Sequence, residues 1–165
     1  MAIQSVSGST FGITAADPGI NIGDTKAVRQ AAYEALTYTQ AGSCFLTTLP
    51  IVQTGWDRSQ DPVTVCDDDG QILSSFKTNR TAADATVAGM LDNADALIQL
   101  LFELHEDRVQ VATYEMVFPN GTDKIFGQVQ VDTFTADPTN VEGRWLFSCG
   151  MFYEELPLHT ALGTV

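Results

Sequence analysis

Two strand-like runs joined through Asn120-Gly121 constrain the architecture of this chain more than any other feature. Val109 to Phe118 is rich in β-branched and aromatic residues, Pro119-Asn120-Gly121-Thr122 interrupts it, and Asp123 to Phe134 resumes the strand pattern. Asn-Gly in that setting is the strongest short-range hairpin signal, because both residues tolerate the positive φ of a tight turn. A turn centred there pairs residues whose numbers sum to 241, so Glu115 faces Phe126, Thr113 faces Gln128, and Tyr114, Met116 and Phe118 face Gly127, Ile125 and Asp123. Side chains alternate along a strand. One face therefore carries Tyr114, Met116, Phe118, Ile125, Val129 and Val131, and the other carries Thr113, Glu115, Lys124, Gln128, Gln130 and Asp132. The second face is hydrophilic and net acidic.

The apolar face needs a cover, and the chain supplies one. Ala85 to Met90 reads as a strand, Asp92 or Asn93 can cap, and Ala94, Leu97, Ile98, Leu101, Phe102 and His105 then share one helical face. Arg144 to Tyr153 adds a third antiparallel run in which Trp145, Phe147, Cys149, Met151 and Tyr153 alternate as a core stripe. The first half is less patterned. Gly, Ser and Pro make residues 1–25 an arm, and Asp24 or Thr25 caps a short helix from Lys26 to Leu36 with Val28, Ala31, Ala32, Ala35 and Leu36 on its apolar side. Cys44 to Leu49 is a strand stopped by Pro50. Residues 53–80 are a long loop, in which Gln53 to Gly70, holding Trp56, Asp57 and the run Asp67-Asp68-Asp69-Gly70, reads as a long loop or an extended hairpin. A segment that long is usually there to touch something outside its domain. Residues 156–165 form a tail. The fold class is mainly β with one flanking α-helix, in a single domain of 165 residues.

Composition then excludes functions. Eight Lys and Arg against 21 Asp and Glu leave a formal charge of -13, and each phosphate gripped needs its own cation, so nucleic acid is not bound tightly. Charged residues are only 18% of the chain, below the usual quarter or so. The net charge thus reflects missing cations, on a surface suited to burial against other subunits. Cys44, Cys66 and Cys149 lack metal or disulfide spacing and read as reduced thiols. No secretory leader and no apolar run of membrane-spanning length is visible. Asp67-Asp68-Asp69-Gly70 lacks the alternating ligands of a calcium loop and reads as a solvated turn. Asn120 matches a glycosylation acceptor but is explained by its turn. His105 and His159 have no spaced partner, and no nucleophile, phosphate or dinucleotide motif occurs. The chain is not expected to be an enzyme, and no cofactor or metal is expected.

From Asp95-Ala96-Leu97-Ile98-Gln99-Leu100-Leu101-Phe102, through Tyr114-Glu115-Met116-Val117-Phe118-Pro119-Asn120-Gly121-Thr122, to Ile125-Phe126-Gly127-Gln128-Val129, the chain resembles the major tail tube proteins of lambda-like long-tailed bacteriophages. The match runs from Ala85 to Tyr153. The resemblance implies a β-sandwich tail-tube fold that assembles as a homo-hexamer, with sheets of neighbouring subunits joining into one large barrel. It implies stacked rings forming a hollow virion tail tube, assembled in the host cytoplasm, that passes double-stranded DNA during genome ejection without binding it specifically. Tape measure, tail tip and terminator proteins are the implied partners. Glu115, Gln128, Gln130 and Asp132 are then expected to face the lumen, and Trp56, Asp57, Asp67, Asp68 and Asp69 to make contacts between subunits or rings. The immunoglobulin-like domain that follows the tube domain in the lambda-type protein is not expected. Two alternatives remain open: another tail component such as a terminator or tip protein, and a monomeric β-sandwich binding module.

Overall fold

The computed structural model describes residues 8–41, 46–63, 72–138, 145–161 and 163–164. In chain order the elements are β1 (Thr10–Thr14), α1 (Lys26–Glu34), β2 (Thr39–Gln40), β3 (Leu46–Thr48), β4 (Thr54–Val63), β5 (Ile72–Ala82), β6 (Ala85–Met90), α2 (Ala96–Glu106), β7 (Ala112–Val117), β8 (Lys124–Asp137), β9 (Leu146–Tyr153), β10 (Leu158–His159) and β11 (Gly163–Thr164). One sheet runs β2-β1-β7-β8-β9-β6-β3, with β10 and β11 added beside β8, and β4 and β5 form a separate two-stranded ribbon. The chain is mainly β.

The central hairpin has the register its sequence dictates: Thr113 pairs with Gln128, Glu115 with Phe126 and Met116 with Ile125. Phe118 N–H donates to the Asp123 carbonyl at 2.9 Å, closing a four-residue loop. Asn120 Oδ1 accepts from the N–H groups of Thr122 and Asp123, at 3.1 and 3.0 Å, and Gly121 supplies the positive φ of 72°. Beyond the hairpin, β8 pairs with β9, and the register shifts between Val131 and Thr133. Asp132 is the extra residue of this bulge. The bulge reverses which side chains point inward, so Val129 and Val131 enter the core before it and Phe134 packs against Phe147 after it.

Helix α2 covers the core. Asp95, rather than Asp92 or Asn93, is its cap, with Oδ1 accepting from Leu97 N–H at 2.9 Å. Asp92 instead closes the preceding turn by accepting from Ala94 N–H at 3.0 Å. Leu97, Ile98, Leu101 and Leu104 are buried against Phe11, Ile13, Tyr114, Met116, Phe147 and Met151. Phe102, expected on the buried stripe, is 48% exposed.

Three stretches differ from their sequence reading. The middle of the glycine- and serine-rich arm is a core strand, because Phe11 and Ile13 are buried where β1 pairs with β7. The tail docks as well: Leu158 pairs with Phe126 and is fully buried. In α1, Thr25 caps as expected, but Val28, Ala31 and Ala35 face outward and Tyr33 is the buried anchor. Burial energy scales with apolar area, and alanines offer little of it. Tyr33 stacks on Phe126 with ring centroids 5.2 Å apart, forming a second small core with Leu158. Cys149 lies in the main core, where burial pushes its thiol up to about 12. A thiol held protonated is unreactive.

Candidate assembly surfaces

The expected wet face of the hairpin divides in two. Its near end, at Glu115 and Phe126, is covered by α1, the segment carrying Tyr38, and β10, so Glu115 is 9% exposed; Thr113, 1% exposed, donates its hydroxyl to the Ala16 carbonyl instead. Glu115 is therefore not an open sheet residue: its Oε2 lies 3.0 Å from Lys124 Nζ, with the two side chains 11% and 29% exposed. Sequence alternation placed Glu115 outward correctly but could not show that a second cluster, built on Phe126 directly opposite it, closes over that end. Removing one partner of a covered ion pair leaves the other charge desolvated. Lys124→Met is expected to cost about 2 kcal/mol, lowering the melting temperature by roughly 4–8 °C. Adding Glu115→Gln should recover most of that loss in the same thermal melt.

The far end stays open. Gln128 and Gln130 are half-buried and Asp132 is exposed on its bulge. Gln130 Nε2 donates to Glu154 Oε1. Along β6, β8 and β9 the same outward face carries Thr86, Thr133, Thr135 and Ser148, which the pairing brings together across the three strands. Hydroxyls, amides and carboxylates share this surface with the outward Ala88, Met90, Leu146 and Phe152, and no Lys or Arg lies on it among the described residues. Sequence reading missed Thr133 and Thr135 because a bulge moves everything beyond it to the other side. The described part of this surface has neither cations nor helix N-termini, the groups that hold a phosphate.

The β4–β5 ribbon is the second surface. Its ten- and eleven-residue strands extend about 30 Å at 3.3 Å per residue, and among the described residues they pair only with each other. Only β4 lies in the segment from Gln53 to Gly70; its partner β5 lies beyond it. Trp56 pairs with Arg80 and is 47% exposed. Lys77 Nζ sits 5.7 Å and Arg80 Cζ 6.0 Å from the Trp56 ring centroid, a cation–π arrangement on both counts. Asp57 is exposed on the same strand. Asp67, Asp68 and Asp69 lie outside the described residues. Three of the chain's eight cations, Arg58, Lys77 and Arg80, are therefore gathered on the ribbon.

Among the described residues no group of His, Cys, Asp and Glu is arranged to hold a metal ion, and no helix is long and apolar enough to cross a membrane. Tyr114 and Tyr153 share a hydrogen bond of 2.6 Å between hydroxyls, both held protonated because burial pushes their titration upward. That pair braces the core.

No family model matches the chain, and no curated protein matches it. Solved structures do. A chain of the six-fold symmetrised anti-feeding prophage baseplate, determined by cryo-EM, superposes with a TM-score of 0.59 at 8% identity, covering 94% of this chain and 91% of that one. A chain in the C6 tail of the empty gene transfer agent particle gives 0.48 at 13% identity, covering 76% and 88%. A chain in the virion of the native gene transfer agent particle gives 0.49 at 13% identity, covering 74% and 88%. Over nearly its whole length, the chain thus has the mainly β fold of a component of the anti-feeding prophage baseplate.

Proposed function

We propose that this chain is a structural subunit of a viral tail tube, forming hexameric rings that stack into a hollow channel for double-stranded DNA. The observation that carries this reading is the ribbon. An isolated two-stranded hairpin is marginal in water, yet this one runs about 30 Å without pairing to the main sheet among the described residues. Packing against another copy supplies the partner that it lacks among the described residues of its own chain. The cation-poor face of β6, β8 and β9 then lines the bore, with Gln128, Gln130 and Asp132 toward the lumen. DNA carries about one charge per 1.7 Å of axis, and a wall of carboxylates and amides gives its phosphates nothing to hold. Screening limits repulsion to about 8 Å at physiological salt, which is enough in a channel little wider than a duplex. The ribbon, with Trp56 and Asp57, makes the contacts between subunits or rings. Asp67, Asp68 and Asp69 are proposed for the same role.

Charge reversal tests the lumen. Asp132→Lys with Glu154→Lys is expected to leave tubes intact and to slow DNA delivery about tenfold at low salt, less at high salt. Glu115 is unsuitable for the purpose because it is buried against Lys124. Unchanged delivery would count against the assignment of this face. A second reading, a tip or terminator ring, draws on the likeness to a baseplate component. Sedimentation separates the two: a tube subunit gives a ladder of lengths, and a terminator gives one ring.

A further inference from the structure

Helix α1 and strand β10 come from distant parts of the chain, yet they meet over one ring. Tyr33 stacks on Phe126 and Leu158 pairs beside it, so three fully buried side chains make the second core. The main core takes no residue from 15–40 or from 154–161. Polar contacts also join the two elements directly. Lys26 Nζ donates to the Thr160 carbonyl at 2.7 Å, and Arg29 Nη2 lies 3.5 Å from Glu155 Oε2. Lys26, Arg29 and Tyr33 are spaced three and four residues apart, which puts them on one face of α1. The exposed Val28, Ala31 and Ala35 lie on the opposite face. The tail is fixed in turn to Lys124: Thr160 N–H donates to the Lys124 carbonyl, and Lys124 N–H donates to Thr160 Oγ1, both at 3.0 Å.

We infer that α1 and β10 form a two-part strap, which opens from the hairpin as one cooperative unit while the main core stays folded. Size argues for the separate opening. A region's resistance to opening follows the apolar surface it buries, and the second core has three buried side chains against nineteen in the main core. Shared contacts argue for the cooperativity. Lys26 and Glu155 are exposed, and links of that kind are individually weak. Tyr33 and Leu158, however, finish the burial of the same ring, so losing one returns part of Phe126 to water and loosens the hold of the other. Groups with a shared partner do not contribute independently. Opening uncovers Glu115 and Phe126, and so joins the near end of the hairpin's outer face to its open far end. The strap is a property of one folded chain and holds whether or not copies assemble.

Hydrogen exchange on the dilute full-length chain, read by mass spectrometry at rising denaturant, tests this. Peptides covering α1 and β10 are expected to share one protection factor and one denaturant dependence, at least about a hundredfold less protected than β7. Leu158→Ala should then speed exchange in α1 as much as in β10, about tenfold, with β7 unchanged. Tyr33→Ala should do the same from the other side. If each element packs on Phe126 by itself, a variant speeds exchange only in the element that carries it, and that result overturns the inference. Unequal protection of α1 and β10 in the wild-type chain overturns it too. So does exchange of α1, β10 and β7 at a single rate, which would make the strap part of the global fold. Where an alanine variant does not fold, Lys26→Met removes only the exposed link to Thr160. It should speed both strap peptides together by about threefold, as loss of a weak surface contact does; a change confined to α1 overturns the inference.

Discussion

Replacing residues 55–81 by a short Asn-Gly turn is expected to leave a folded monomer that no longer polymerises, with self-association weakened at least about a hundredfold. The fold should survive because, among the described residues, neither core draws on the ribbon. The main core runs from Leu46, Leu49 and Val52 straight to Ala85 and Val87, and the second is made of Tyr33, Phe126 and Leu158. At the ribbon base, Ala83 N–H donates to the Gln53 carbonyl at 2.8 Å, which leaves a joined pair of ends for the new turn to close. Thermal melting within a few degrees of wild type, with sedimentation as a monomer, is the expected pair of results. A shortened chain that still forms tubes would remove the observation on which the proposed function rests.

Gly127→Ala is expected to be strongly destabilising. A Cβ at Gly127 would lie 2.5 Å from Tyr114 Cε1 and 2.9 Å from Tyr153 Cε1. Neither ring can yield easily. Tyr114 is fully buried, packs 5.7 Å from Phe11 between centroids, and is tied to Tyr153 by the 2.6 Å hydroxyl contact. Overpacking costs about 1–3 kcal/mol, and breaking the hydroxyl pair adds about 1 kcal/mol. The sum predicts a loss of about 3 kcal/mol, or roughly 6–12 °C in melting temperature. Gly121, whose φ is 72° and whose Cβ would meet nothing within 4 Å, is strained by substitution for a different reason. Its replacement should cost only about 1 kcal/mol. Thermal melts of the two variants side by side distinguish crowding from backbone strain.

What the amino-acid order reveals here follows the range of the forces involved. The β7–β8 register is local, set by a turn and an alternation within 20 or so residues, and every pairing derived from Asn120-Gly121 is present. Strand β6 has its expected bounds, Ala85 to Met90, and Phe147, Cys149 and Met151 are the buried stripe of β9. The features that escaped depend on distant partners. Strand β1 lies in a stretch rich in glycine and serine, and only its pairing with β7, a hundred residues away, makes it a strand. Tyr33 becomes an anchor because Phe126 and Leu158 meet it from elsewhere in the chain. The Asp132 bulge leaves no mark in an alternating run, so Thr133 and Thr135 appear on the open face only once the β8–β9 ladder is seen. Glu115 belongs with these: the cover over it comes from α1 and β10, which no local pattern reveals.

The central claim is that copies of this chain enclose a pore whose wall is made by β6, β8 and β9. Cryo-EM of the purified, polymerised chain tests it most directly, at a resolution that traces side chains. The account predicts an open cylinder of stacked six-membered rings, with Gln128, Gln130 and Asp132 toward a bore that carries no lysine or arginine, and with each β4–β5 ribbon packed on a neighbour. A cylinder lined by Arg58, Lys77 and Arg80, or ribbons standing free in solvent around it, would contradict the account.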